Sequence, residues 1–312
     1  MMKTQLLIHP EELSIEWIRR AVSLGVDVLG IHPVGGPHAR ESMFDLLAKL
    51  KTPEFRALLD AAAEAGLEIE YELHAGSFLV PQELFAEHPD YYREDEKGDR
   101  STDHNFCPSS ADMLNLVVEN AITVAKQLYR SSHNYYFWLD DTKHGDCHCP
   151  LCRDLSPSDQ QLLVMNRILA GLRQFDPDAK LAYLAYFKCI QPPQAITPDA
   201  GIFLEYAPFE KNTSVSVREQ SIGEELDRLL TVFPGENAKV LEYWYDNSLF
   251  SNWKKPPKRF IPNNRLICDD LSFYKEKGMC YLSSFACYLG KDYTDLYGEP
   301  DLSAFQNEGS TS

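Results

Sequence analysis

Eight short apolar segments, each followed by a stretch of helical character, constrain this chain more than any other feature. The segments are residues 5–9, 26–32, 67–74, 134–141, 181–187, 201–207, 240–245 and 279–285. Short runs with little polar alternation read as parallel strands buried on both faces. Helical stretches fall between them, at 10–23, 40–51, 53–65, 111–129, 156–175, 219–233 and 265–276. The punctuation agrees: Pro10 with Glu11 and Glu12 opens the first helix, Gly66 closes the third, and Ser156-Pro157-Ser158-Asp159 caps the fifth. Eight strands with helical crossovers predict an α/β fold, a (β/α)8 TIM barrel forming one domain over residues 1–298. The crossover after the fifth strand is short and the last helix minimal. A doubly wound sheet is the rival, but no Gly-x-Gly-x-x-Gly follows the first strand. With 312 residues, 44% of them hydrophobic, the chain can bury a core of that size. The polar tail from about 299 to 312 is expected to be disordered.

One connection is unusually long. Residues 75–110 follow the third strand, with a short helix expected at 81–88 and a polar stretch at 94–104. Loops of that length inside compact domains are usually functional.

Charge narrows the partners. A net charge of −17 argues against nucleic acid and anionic membranes, which are themselves polyanions. No apolar run reaches the length of a membrane span. The apolar start is too short for a signal peptide and no cleavage site follows it, so a cytoplasmic protein is expected.

In a barrel of this type the active site lies at the C-terminal ends of the strands. The predicted strands end in His9, His32, His74, Asp140 with Asp141, Tyr186, Glu205 with Tyr206, and Glu242 followed by Trp244 and Tyr245. Aromatic rings offer flat platforms for the C–H faces of sugars, and carboxylates and imidazoles hydrogen-bond to hydroxyls. A carbohydrate ligand is therefore expected. The aromatic run Tyr135-Tyr136-Phe137-Trp138-Leu139 stops at Asp140-Asp141, the candidate catalytic pair. Blander roles exist for several of these residues. His9 and His32 each precede a proline and so suit a turn, and Glu205 and Glu242 suit structural partners of buried Tyr or Arg. A second acidic pair, Asp269-Asp270, reads as a helix start stabilised by the dipole.

Cys147, Cys149 and Cys152 lie within six residues of one another. A closed tetrahedral zinc site needs a fourth ligand. Cys107, in the long loop, is the best candidate, with His144 and His148 as alternatives. A structural zinc is expected, and no organic cofactor. The alternatives are plain reduced thiols or a disulfide. Cys189, Cys268, Cys280 and Cys287 read as core residues.

Several motifs resemble an uncharacterised bacterial domain family associated with glycoside hydrolases. They are His88-Pro89-Asp90-Tyr91-Tyr92, Asn105-Phe106-Cys107-Pro108-Ser109, Trp138-Leu139-Asp140-Asp141 with the cysteine loop, and Ser158-Asp159 with Asn166. The resemblance spans roughly residues 85–210 and implies a barrel related to the β-N-acetylhexosaminidases. Asp140-Asp141 also looks like the Asp-Asp pair of O-GlcNAcase-type enzymes. That likeness implies that Asp140 polarises a 2-acetamido group and Asp141 is the general acid. The sugar would then supply the nucleophile. Two adjacent carboxylates serve such roles because they cannot both ionise cheaply. Tyr243, Trp244 and Tyr245 match the aromatic pocket of those enzymes by position only.

The leading expectation is a glycoside hydrolase. In a conventional version Asp140 would pair with Glu205 or Glu242 across the barrel. One rival is a metal-dependent sugar isomerase or hydrolase holding its metal among His9, His32, His74, Glu205 and Glu242. The other is a sugar-binding barrel without catalysis.

Overall fold

A computed structural model describes residues 2–306. Eight parallel strands close a barrel in sequence order: β1 (Lys3–Ile8), β2 (Val28–Ile31), β3 (Glu68–His74), β4 (Asn134–Trp138), β5 (Lys180–Ala185), β6 (Ile202–Tyr206), β7 (Lys239–Glu242) and β8 (Tyr281–Phe285). The expected (β/α)8 barrel is what the chain forms. Around it run α1 (Ile15–Leu24), α2 (Ala39–Lys49), α3 (Pro53–Glu64), α4 (Ala111–Ala125), α5 (Pro157–Leu172), α6 (Ile222–Leu230), α7 (Asn247–Phe250), α8 (Asn264–Glu276) and α9 (Lys291–Tyr297). Local chemistry sets their ends. Ser14 and Ser156 accept the amides of Trp17 and Asp159 as N-caps, and Gly25 ends α1 at φ 71°.

No α-helix covers the β5–β6 crossover. Asp159, at the start of α5, holds that segment instead. Its Oδ1 accepts the consecutive amides of Gln194, Ala195 and Ile196 at 2.9, 2.8 and 2.9 Å. Two strands are shorter than their apolar runs suggest. β4 stops at Trp138 and β7 at Glu242, so Leu139–Asp141 and Tyr243–Tyr245 lie beyond the ladder.

The barrel interior is ionic as well as apolar. Lys239 Nζ on β7 reaches across to Glu72 on β3 at 2.5 Å and to Glu205 on β6 at 2.8 Å. Gln5 Nε2 donates to Glu72 at 2.7 Å and Trp138 Nε1 to Glu205 at 2.7 Å. Below them, Glu70 accepts from the hydroxyls of Tyr136 and Tyr281. All of these polar groups are buried. Burial raises the pKa of Glu72 and, less strongly, of Glu205. Burial alone would lower Lys239, but Glu205, Glu72 and Glu70 around it lift it above the ordinary lysine value.

Three expectations need correction. Asp269-Asp270 does not start a helix: α8 begins at Asn264, capped by Asn263. Asp270 is fully buried and accepts from Val217 N, Ser216 Oγ and Trp244 Nε1. Cys268 and Cys280 are exposed, not core. The tail expected from 299 is partly packed: Leu302, Ala304 and Phe305 are buried, with the Phe305 ring against Trp244 and Tyr245. Residues 307–312 of that tail lie outside the described residues.

Candidate functional site

The mouth of the barrel begins with three histidines that hand hydrogen bonds from strand to strand. His9 Nδ1 lies 2.9 Å from His32 O, His32 Nδ1 2.8 Å from Glu72 O, and His74 Nδ1 2.8 Å from Leu139 O. A carbonyl only accepts, so each Nδ1 carries a proton, and in the neutral tautomer Nε2 is then the acceptor. Burial, then the neighbouring His74 and His9, hold the His32 pKa well below the usual histidine value. Gly35, in the loop after β2, lies against this row. A Cβ there would fall 2.7 Å from His74 Cδ2, so a side chain would push His74 out of place.

An aromatic ring closes the rest of the mouth. Trp138 contacts His32 and His74 at 5.4 and 5.0 Å, and Phe285 contacts His32 at 5.0 Å. From Phe285 the ring continues through Tyr243 and Phe209 to Tyr186, with spacings of 5.1, 5.1 and 5.7 Å. Tyr288 adds an edge beside His9 at 5.9 Å. Of the six described non-glycine residues at positive φ, Asn105, Phe187, Asn252, Trp253 and Tyr288 lie in the connections above the strand ends. Strained backbone of this kind gathers at functional sites.

The two aspartates part company. Asp141 points into the mouth, where Tyr186 Oη donates to its Oδ1 at 3.0 Å and Gly36 faces its Oδ2. Burial raises the pKa of Tyr186 and of Tyr243, and Asp141 adds to both shifts. Asp246, after β7, is the next contributor at Tyr243. Its own pKa is raised by burial, against hydrogen bonds from Ser248 and Leu249. Asp140 instead turns toward the long loop. It accepts Ser77 N at 3.0 Å on both oxygens and Asn105 N at 2.8 Å, while its own amide donates to Asn105 Oδ1 at 2.7 Å. Its carboxylate thus holds the loop.

The other expected ligand residues divide by the strand face they occupy. His9, His32, His74 and Tyr186 meet at the mouth. Glu205 faces inward but lies beneath it, paired with Lys239 and Trp138. Tyr206, Glu242, Trp244 and Tyr245 do not belong to the mouth. Tyr206 donates to Glu225 on α6, and Glu242 takes Lys211 and Tyr274 on the outer side of β7. Trp244 and Tyr245 pack under Phe305. The expected pairing of Asp140 with Glu205 or Glu242 across the barrel is therefore not assembled. Sequence reasoning left out Phe209 and Tyr288, which lie in loops beyond β6 and β8, where strand pattern gives no signal, and it named Tyr243 only by its position at a strand end.

Beside the mouth, a cavity of about 60 Å³ lies between the β4 and β5 loops, lined by Leu139, Gln160, Gln161, Leu184, Tyr186 and Cys189 among others. That volume suits a few waters rather than a sugar ring.

Next to it, Cys107, Cys147, Cys149 and Cys152 come together, all buried, with sulfurs within 4.8 Å of one another. Cys107 Sγ is 3.7 Å from both Cys149 and Cys152. Four sulfurs about 2.3 Å from a tetrahedral zinc stand about 3.8 Å apart, so the donor set fits that ion. Glu94 N donates to Cys147 Sγ, and the Arg100 guanidinium faces Cys149. Among the described residues this is the one metal-suited group, so His9, His32, His74, Glu205 and Glu242 form no such cluster.

A family model described as Domain of unknown function (DUF4838) matches residues 41–293. No curated protein matches the sequence. Among solved structures, the β-galactosidase of Rahnella sp. R3 is similar at a TM-score of 0.55 and 14% identity, covering 91% of this chain and 50% of that one. The β-galactosidase of the psychrophilic Marinomonas ef1 gives 0.53 and 12%, covering 91% and 54%. Endo-glycoceramidase II of Rhodococcus sp. gives 0.51 and 7%, covering 91% and 73%. The chain thus spans about half the length of the two β-galactosidases. At these identities the likeness is one of fold.

Proposed function

The chain belongs to the DUF4838 family, a domain of unknown function, and from that premise we propose that it is a glycoside hydrolase with Asp141 as its acid/base. One observation carries the proposal. Asp141 is a carboxylate at the end of β4, held by Tyr186 and aimed into a mouth walled by aromatic rings and imidazole acceptors. The glycosidases of similar fold support the same class.

Asp141 would protonate the leaving oxygen and then activate water. The His32 and His74 Nε2 atoms would accept sugar hydroxyls, and the Phe285–Tyr243–Phe209 wall would take the apolar face of the ring. The inward faces of β6 and β7 offer no unpaired carboxylate as nucleophile, since Glu205 is tied to Lys239 and Glu242 faces outward. That favours the substrate-assisted, N-acetylhexosaminidase-like version, in which a 2-acetamido group attacks. Asp140 then positions the loop, and Tyr243 is the group placed to orient the acetamide. A conventional version would use Asp246 as the second carboxylate.

A panel of nitrophenyl glycosides with 2-acetamido and 2-hydroxy sugars tests both. Asp141→Asn should cost about 10²–10⁴-fold in kcat on substrates with poor leaving groups. Turnover of only the 2-acetamido set supports substrate assistance. Unchanged activity in Asp141→Asn sinks the assignment, and a wild type inert toward the whole panel leaves a sugar-binding barrel. The four cysteines are proposed to hold a structural zinc, checked by metal analysis of the purified protein. About one equivalent is expected, and less than about half counts against the site.

A further inference from the structure

Residues 250–265 carry a charge opposite to that of the chain as a whole. They include Lys254, Lys255, Lys258, Arg259 and Arg265 and no acid, in a protein of net charge −17. All five cations are exposed. Lys255 pairs with Asp292 at 2.8 Å, and among the described residues the other four make no ion pair. Large apolar groups are exposed on the same segment: Trp253 at 60%, Phe250 at 51% and Ile261 at 80%. Cations and apolar surface concentrated together mark an interaction site more often than a solvated loop.

The segment is held rather than loose. Asn247, fully buried, donates from Nδ2 to Lys258 O and to Tyr288 O, both at 3.1 Å. Lys258 N donates to Ser251 Oγ at 2.9 Å, and Trp253 N to Ser248 O at 2.7 Å. These bonds keep Asn252 and Trp253 both at φ 53°, a left-handed pair that non-glycine residues disfavour. The segment also borders the mouth. Tyr288 Oη donates to Trp253 O at 3.4 Å, Lys255 Nζ lies 5.0 Å over the Tyr288 ring, and that ring stands 5.9 Å from His9.

We propose that residues 250–265 are a docking surface for an acidic polysaccharide running out of the barrel mouth. Trp253 is its stacking platform, and Lys254, Lys258, Arg259 and Arg265 are the partners of its carboxylates or sulfates. The proposal rests on the glycoside hydrolase reading of the mouth and adds the substrate class. Charge decides the occupant. The mouth is acidic, with Asp141 and Asp246 inside it and Glu11 and Glu12 beside Tyr288. An anionic sugar is therefore repelled from the mouth and attracted to the segment next to it. The chain that fits both has an uncharged unit at the cleavage point and anionic units flanking it. Nucleic acid shares the stacking and ionic chemistry, but a glycosidase mouth gives it no unit to hold, so DNA serves as the control in the test.

Calorimetric titration of the full chain tests this. The probes are an oligogalacturonate, a chondroitin sulfate oligosaccharide, a cello-oligosaccharide of equal length and a short single-stranded DNA, each at low and at physiological salt. The uronate or the sulfated chain should bind at least about tenfold more tightly than the neutral one, less so as salt rises. Trp253→Ala and the double variant Lys254→Glu/Lys258→Glu should each weaken that binding by about tenfold or more. Both should cleave any small nitrophenyl glycoside that the wild type cleaves at the wild-type rate. Should the reversal fail to fold, Lys254→Gln/Arg259→Gln gives the same readout. Acidic chains bound no better than the neutral one, DNA bound as tightly as the glycans, or variants that bind like wild type would each overturn the proposal. Failure of the hydrolase reading looks different: no glycoside is turned over, yet the acidic chain still binds wild type and Asp141→Asn alike.

Discussion

Three imidazoles reach the mouth with the same nitrogen engaged, and that shared choice fixes what they do there. Each Nδ1–H satisfies a carbonyl of the following strand or its extension, so in the neutral ring Nε2 is left as the acceptor. His32 shows the cost as pH falls. Unfolded, it takes up a proton near its ordinary pKa of 6.5, whereas in the fold burial, His74 and His9 keep it neutral to lower pH. The unfolded state then binds more protons, and stability drops as pH falls below about 6.5, by about 1.4 kcal/mol per unit while that inequality lasts. Denaturation midpoints from pH 7 down to 5 should therefore fall more steeply in wild type than in His32→Asn, which keeps a donor for the Glu72 carbonyl. Equal slopes would remove His32 from the explanation. These histidines, Asp141 and Tyr186 were legible in the sequence because each ends an apolar run, and strand ends face the mouth in any such barrel. The inward parity of β7 was not. A strand buried on both faces shows no alternation, so Glu242, Trp244 and Tyr245 looked as eligible as Tyr243.

The long loop after β3 owes its position to the end of β4. Asp140 gathers the Ser77 and Asn105 amides, and Cys107 joins the cysteines that follow Asp141, so the loop is tied on both sides of the catalytic candidate. Removing the Asp140 carboxylate leaves buried amides without partners, at about 1–3 kcal/mol each. Asp140→Ala should lose about 3 kcal/mol or more in chemical denaturation and expose residues 75–110 to limited proteolysis. Asp141→Asn should do neither, although the two residues are adjacent. Equal proteolysis of both variants would contradict the division of labour. The loop's importance was legible from its length and from the spacing of its cysteines. The turning away of Asp140 was not, because β4 ends at Trp138 and strand periodicity carries no information beyond that point.

For the whole barrel, an ionic layer interrupts the apolar stack of the interior. Lys239 ties three strands together through Glu72 and Glu205. Taking away one member of a buried ion cluster strands the others, at about 3–5 kcal/mol. Lys239→Met should be destabilised by that amount, and adding Glu72→Gln and Glu205→Gln should recover most of it, as read from urea midpoints. No recovery would mean that Lys239 acts through its packing alone. The barrel itself was plain from the eight alternations, since fold class follows from the order of elements. This inner network was hidden, because partners as distant in sequence as Glu72 and Lys239 meet only when the sheet closes. The indole of Trp138 bridges that network and the mouth, donating to Glu205 below and touching His32 and His74 above. Trp253 stands at the basic rim, and Trp17 and Trp244 are buried in the outer layer. The molecule thus carries its own optical labels. A small sugar entering the mouth should alter ultraviolet emission through Trp138, a polymer settling on the rim should alter it through Trp253, and two occupancies can be told apart without any dye.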